Sequence, residues 1–152
     1  MKCVSINQPN AFLVCGNPLE IVAAGETPRL FENRPVWTPY RGRVLIHAGK
    51  SRRYIGPECR RMIPKLIFGS IIGSAELVDV VGPQKYLGRK PIFGRVTLKY
   101  YPWLENADDA VGPFVWIFEN VFAHRPIPFT GRKGLFEVPD SILARVDVAS
   151  AR

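Results

Sequence analysis

Residues 25–53 hold the side chains of this sequence that are best suited to binding or chemistry. Arginine forks hold phosphate through paired hydrogen bonds, and a base stacked on an aromatic ring gains ~1–3 kcal/mol. The residues of this stretch that suit nucleic-acid binding are Arg29, Arg34, Trp37, Tyr40, Arg41, Lys50, Arg52 and Arg53. The alternative is an internal clamp, in which Glu32 pairs with Arg34 and Trp37 packs in the core.

The same stretch contains candidate catalytic groups. Cleavage of RNA without a metal needs a base for the 2′-hydroxyl proton and cations that stabilise the phosphorane. Glu32 or His47 could act as the base, and Arg29, Arg34 and Lys50 could supply the charge. A single histidine on a strand is more often a structural hydrogen-bonding residue, and the same cations bind RNA without cutting it. Whether the protein is an enzyme is therefore left open.

The positive charge of the chain is concentrated in one region. The 152 residues carry a net charge of +8, and residues 25–65 contain ten Lys or Arg against three acids, which is +7 of that total. Clustered basic residues favour an anionic partner. We therefore expect the partner to be RNA or single-stranded DNA, with a purely solvated charged surface as the alternative.

Cysteine usage and hydropathy indicate a cytoplasmic protein. Cys3, Cys15 and Cys59 cannot all pair, and their spacing matches no zinc-ligand pattern, so reduced and mostly buried thiols are predicted. There is no Gly-rich phosphate loop and no secretory or membrane-spanning segment. The sequence predicts no metal, no cofactor and no membrane association.

Short apolar runs separated by Pro and Gly indicate a β-rich fold. We expect strands near residues 3–6, 43–48, 70–81, 114–122 and 135–138, with a bulge or bend at Gly73. Residues 26–39 and 82–91 are expected to be loops, and residues 92–101 to include a short strand. With two or three short helices this gives an α+β fold, a small mixed β-barrel of five to seven strands. A single domain is predicted over residues 1–145, followed by a C-terminal tail at 146–152.

Several of these pieces follow one another in an order that resembles the ASCH domain, a relative of the PUA RNA-binding β-barrel. The N-terminal pieces are Ser5-Ile6, Gln8-Pro9, Gly25, Glu32-Asn33-Arg34, Trp37, Tyr40-Arg41-Gly42 and Leu45-Ile46-His47-Ala48. The later pieces are Ile72-Gly73, Glu76-Leu77-Val78-Asp79, Pro126-Ile127-Pro128, Gly131 and Lys133-Gly134-Leu135-Phe136. The resemblance covers about residues 3–139 and implies the PUA-like barrel.

The resemblance also implies a cleft lined by the motif Gly-x-Lys-x-x-Glu-x-Arg, proposed to bind RNA or a modified nucleoside. Glu32 and Arg34 take the acidic and basic positions, whereas Arg29 replaces the lysine. Family members that resemble N4-acetylcytidine amidohydrolases use a lysine of lowered pKa, which an arginine cannot replace because it stays protonated. In a further departure, Asn10 stands where a tryptophan usually follows Gln-Pro.

The function that these observations favour is RNA binding through a basic cleft formed by Arg29, Glu32, Arg34, Tyr40 and Arg41. The flank of this cleft carries Lys50, Arg52 and Arg53. One alternative is a ribonuclease or modified-nucleoside hydrolase that uses the same cleft. A second alternative is a protein-interaction module whose basic surface contacts an acidic partner.

Overall fold

A computed structural model describes residues 1–150, which form a six-stranded mixed sheet, a separate two-stranded hairpin and several short helices. The strands are β1 (Lys2–Ile6), β2 (Phe31–Arg34), β3 (Gly42–Ala48), β4 (Ser70–Val81), β5 (Lys85–Leu87), β6 (Lys90–Ile92), β7 (Phe114–Pro128) and β8 (Leu135–Glu137). The α-helices are α1 (Asn10–Cys15), α2 (Pro18–Ala23), α3 (Arg95–Tyr100) and α4 (Asp140–Ser150). Three 3₁₀ helices cover Pro57–Cys59, Ile63–Lys65 and Pro102–Asn106.

The large sheet curls into an open half-barrel. Its strand order is β2-β7-β4-β3-β1-β8, in which β1 and β3 are parallel and every other neighbouring pair is antiparallel. The predicted α+β class and the mixed sheet of five to seven strands are confirmed. The structure contains more short helices than the sequence indicated.

Strands β4 and β7 supply the curvature because each is long and irregularly paired. Their register shifts between Ile71 and Gly73, and the pairing of β3 with β4 shifts beside the same point. A Cβ atom on Gly73 would lie 2.5 Å from the Phe122 carbonyl oxygen, so only glycine allows this close approach of the two strands. The bend predicted at Gly73 is confirmed.

Apolar side chains cover both faces of the sheet. Trp116 and Phe118 of β7 belong to the largest buried cluster, which α1 covers. Val146 of α4 lies in a second cluster with Ile71, and Phe93 is part of a third, beside α3. The sheet is thus buried on both sides, which agrees with the nearly continuous apolar run of β4.

Three predictions about local structure were wrong. Residues 26–39, expected to be a loop, contain strand β2, whose Phe31 is buried while its polar residues concealed the strand pattern. Residues 82–91 contain β5 and the start of β6. Residues 92–101 contain the last residue of β6 and helix α3, which begins after Gly94, in place of the expected strand. The β-branched residues Val96 and Thr97 suggested a strand. Helix α3 lies mostly at the surface, so it shows no clear apolar stripe that would have indicated a helix.

The C-terminal helix extends past the predicted end of the domain. Helix α4 continues to Ser150 and buries Val146, whereas residues 151–152 of the predicted tail lie outside the described residues. All three cysteines are buried and unpaired, as expected, and burial raises the pKa of Cys3 to about 12. Within residues 1–150, no helix has the length and apolar character needed to cross a membrane.

Candidate functional site

A wide cleft opens where the parallel strands β1 and β3 end. It has a volume of about 1090 Å³. Four separate segments contribute to its lining. They are residues 5–7 at the end of β1, residues 34–36 at the end of β2, residues 47–54 at the end of β3, and the turn 130–134 between β7 and β8. A cleft of this size has room for a nucleotide-sized ligand.

The lining of this cleft carries positive charge. Its cations are Arg34, Lys50, Arg132 and Lys133. Among the described residues that line the cleft, none is acidic. Cations gathered in a concave surface with apolar walls raise the local concentration of anions. The cleft is therefore suited to an anionic ligand.

His47 lies at the base of the cleft and is almost fully buried. Its Nε2 is 2.6 Å from the Phe129 carbonyl oxygen, which can only accept a hydrogen bond. Nε2 therefore carries the proton. Nδ1, which is 2.9 Å from the Ser5 hydroxyl oxygen, then accepts from that hydroxyl when the ring is neutral. Burial lowers the pKa of His47, as does nearby Lys50, while the Phe129 contact opposes the shift.

Gly131 packs directly against this Ser5–His47 pair. A Cβ atom at residue 131 would lie 2.6 Å from His47 Nδ1 and 3.0 Å from the Ser5 hydroxyl oxygen. His47 thus binds the chain at Phe129 and contacts it again at Gly131. These two contacts hold the start of the 130–134 turn, and Arg132 and Lys133 follow immediately. We therefore assign His47 as a positioning residue for that turn.

Arg34 is held between the core and the cleft. Its Nη1 donates to the Ser5 carbonyl oxygen at 3.1 Å, and its guanidinium carbon lies 5.5 Å from the Trp116 ring centre. Burial lowers the pKa of Arg34, and the Glu32 carboxyl opposes that change. Because a guanidinium remains protonated in proteins, Arg34 presents a fixed charge at the cleft wall.

Glu32 is buried behind the cleft and does not line it. Burial raises the pKa of this carboxyl, against the lowering effects of Arg29 and Arg34. Glu32 also lies within reach of the Asn10 side chain, the residue that replaces the usual tryptophan of the resembled motif. The structure therefore places Glu32 in the interior near Arg29 and Arg34, away from any ligand in this cleft.

Arg29 is also outside the cleft. Its Nη1 forms an ion pair with Asp109, and its guanidinium carbon lies 4.0 Å above the Phe31 ring centre. The side chain of Arg29 is only 10% exposed. These contacts fix Arg29 as a bridge from the start of β2 to the loop that carries Asp109.

The aromatic and basic residues after β2 form a separate group that does not line the cleft. The Tyr40 hydroxyl donates to the Arg43 carbonyl oxygen at 2.8 Å, which secures the start of β3. Arg41 donates to the carbonyl oxygens of Thr38 and Tyr40, and its guanidinium lies 6.0 Å from the Trp37 ring centre. Trp37 remains 54% exposed, so its expected core position in the clamp alternative is not what the structure shows.

The loop after β3 supplies the cleft with one aromatic ring. Tyr54 lines the cleft and is 55% exposed, and the Arg53 guanidinium lies 5.6 Å from its ring centre. Arg52 instead packs over Phe68 at 4.1 Å. Of the predicted flank, only Lys50 lines the cleft, while Arg53 reaches it through its contact with Tyr54.

The structure therefore brings together only part of the predicted site. Arg34, His47 and Lys50 line the cleft, and Arg29, Glu32, Trp37, Tyr40, Arg41, Arg52 and Arg53 do not. Sequence reasoning missed the lining residues Ser5, Asn7, Tyr54, Thr130, Gly131, Arg132 and Lys133. A signal for the last three existed, because the composition of residues 131–134, Gly-Arg-Lys-Gly, is typical of a basic turn, but nothing in the sequence placed that turn beside β3. In residues 1–150 no cluster of His, Cys, Asp or Glu could hold a metal ion.

The fold and the cleft together define a small α+β half-barrel with an open, cationic cleft at the ends of its parallel strands. No protein-family model matches the chain, and no curated protein matches it. The chain is similar to solved structures of the ASCH protein from Zymomonas mobilis and of two point mutants of that protein. In each comparison the identity is 17%, the TM-score is 0.47, and 97% of this chain aligns with 93–96% of the other. These structures bear the family name that the sequence motifs suggested, but a likeness this distant assigns no residue role or activity to this chain.

Proposed function

We propose that the protein binds single-stranded nucleic acid, with RNA as the favoured ligand, in the cleft at the ends of β1 and β3. The observation that carries this proposal is the set of four cations that line the cleft, Arg34, Lys50, Arg132 and Lys133. No acidic residue is among the described residues of that lining. Tyr54 adds an exposed ring beside them, suited to stacking on a base. Phosphate contacts and stacking together bind a strand with little dependence on its sequence.

The test is the salt dependence of binding, measured by fluorescence anisotropy with short labelled RNA and DNA oligonucleotides. Each phosphate neutralised on a single strand adds about −0.7 to the slope of log K against log salt. Four contacts predict a slope of about −2.8, and the double variant Arg132→Gln/Lys133→Gln should reduce it to about −1.4. Absence of saturable binding at low salt would contradict the proposal.

The matched control for this pair is Arg60→Gln/Arg125→Gln, which removes equal charge from two exposed residues outside the cleft lining. Arg41→Gln is the matched control for Lys50→Gln, because Arg41 belongs to the predicted site but lies outside the cleft. Equal losses from cleft and control variants would show that total charge, and not this cleft, determines binding.

One observation favours ribonuclease activity in the same cleft. The His47 ring, whose pKa is lowered by burial, lies beside the Ser5 hydroxyl. The hydroxyl could take a proton from a ligand while passing its own proton to Nδ1, and nearby cations would stabilise a phosphorane. Incubation of the protein with labelled RNA, with and without a chelator, distinguishes cleavage from binding. Cleavage that persists in a Ser5→Ala variant would exclude this route.

A further inference from the structure

A second basic surface lies on hairpin β5–β6 and helix α3. Residues 82–104 contain five cations and no acid, whereas the whole chain has 21 Lys or Arg against 13 acids. The five cations are Lys85, Arg89, Lys90, Arg95 and Lys99, and all are exposed. We call these residues, with Tyr86 and Tyr100, the hairpin surface.

One carboxylate approaches the hairpin surface, because Glu105 lines a small pocket together with Lys90. In the described part of the chain, none of the five forms an ion pair with a carboxylate. Arg29 and Arg41, by contrast, each have a carboxylate within 4 Å. Unpaired like charges on adjoining elements repel one another, and an external polyanion would relieve that repulsion.

Exposed rings accompany these cations. Tyr100 is 68% exposed and Tyr86 is 48% exposed, while the Tyr86 hydroxyl donates to the Val111 carbonyl oxygen. That bond fixes the Tyr86 side chain without burying its ring. Exposed rings set among cations are typical of surfaces that bind single strands, where bases stack and phosphates are neutralised.

The hairpin surface is connected to the cleft through a short series of contacts. Tyr86 holds the loop at Val111, and the next residue, Gly112, donates its backbone N–H to the Asn33 side chain at 3.0 Å. Asn33 immediately precedes Arg34, which lines the cleft. The segments that carry the two basic surfaces are therefore linked by hydrogen bonds through the loop at Val111 and Gly112.

We propose that the hairpin surface is a second nucleic-acid-binding site that extends the cleft and engages strands too long for the cleft alone. This rests on the proposed function of the cleft. Leu87 and Val96 are exposed beside these cations. Two apolar side chains offer little area for insertion into a membrane, so the charge pattern and exposed rings favour a nucleic acid over an anionic membrane.

The test compares labelled RNAs of ~4 and ~16 nucleotides, the two ends of the range of single-strand site sizes. The variant Arg89→Gln/Lys90→Gln/Lys99→Gln should reduce the salt slope for the long RNA by about 2 and leave the short RNA unchanged. Tyr100→Ala should weaken binding of the long RNA by roughly 5- to 150-fold. Because these side chains are exposed, all variants should unfold at the wild-type temperature.

The control variant is Arg60→Gln/Arg125→Gln/Arg145→Gln, which removes the same charge from exposed residues elsewhere. Equal effects of both triple variants on the long RNA would overturn the proposal, while unchanged short-RNA binding would leave the cleft function standing. If the hairpin triple variant loses binding to anionic lipid vesicles but binds the long RNA as the wild type does, the hairpin surface is a membrane-binding surface and the proposal is wrong. If neither RNA binds the wild-type protein, both proposals fail.

Discussion

His47 should make the stability of the protein fall in mildly acidic solution. Burial lowers its pKa in the folded state below the ordinary value of about 6.5, so the unfolded chain takes up the proton first. The stabilisation is therefore complete above about pH 6.5 and is lost as pH falls toward the folded pKa. Each unit by which the two pKa values differ corresponds to about 1.4 kcal/mol.

The sizes of the substitution effects follow from the contacts of the ring. His47→Gln keeps an amide donor for the Phe129 carbonyl but loses the acceptor for Ser5, one hydrogen bond worth about 1 kcal/mol. His47→Ala loses both bonds and leaves a cavity, a cost of roughly 3–4 kcal/mol. RNA affinity at pH 7.5 should fall more for His47→Ala, because the turn that carries Arg132 and Lys133 loses its anchor.

The assay is urea unfolding of wild type and His47→Gln at several pH values between 5 and 7.5. The stability advantage of the wild type should shrink as pH falls, and taking the difference cancels the titration of other groups. Parallel profiles across this range would refute the neutral, buried ring. RNA binding that is unchanged in a folded His47→Ala protein would refute its positioning role.

Two further variants examine the packing and charge behind the cleft. Gly131→Ala places a Cβ atom 2.6 Å from the immobile His47 ring, so it should destabilise the protein by ~1–3 kcal/mol in urea unfolding, whereas the exposed neighbour Thr130→Ala should not. Equal stability of the Gly131→Ala and Thr130→Ala proteins would mean that the turn moves to accommodate the added Cβ atom at little energetic cost. Burial raises the pKa of Glu32, so its stabilising effect is present near pH 4 and is lost as pH rises through the folded pKa. Glu32→Gln should therefore gain stability relative to wild type between pH 4.5 and 8, and a constant difference would argue against the raised pKa.

The fold was largely predictable because its strands carry clear apolar patterns. Strands β3 and β4 fall where Arg43 to Ala48 and Ser70 to Val81 indicated, since their apolar residues have the spacing of buried strands. Strand β2 was missed because three of its four residues are polar, which leaves only Phe31 as an apolar signal. Helix α3 was misread because β-branched composition outweighed the helix start after Gly94.

The site was less predictable than the fold for a geometric reason. Arg29 and Glu32 lie close to Arg34 in sequence, but Arg29 pairs with Asp109, Glu32 is buried, and only Arg34 reaches the cleft. The turn with Arg132 and Lys133 is about a hundred residues away and reaches the cleft only through tertiary contacts. The local density of positive charge therefore identified the right region of the chain, but most of the residues predicted from it do not line the cleft.

The two kinds of residue in the cleft differ in how they depend on the fold. His47 and Arg34 are held by buried bonds to Phe129 and Ser5, so their substitution disturbs the core as well as the ligand site. Lys50 and Lys133 are exposed at loop positions and line the cleft. The lysines should therefore separate affinity from stability, which makes them the cleaner measure of what the cleft binds.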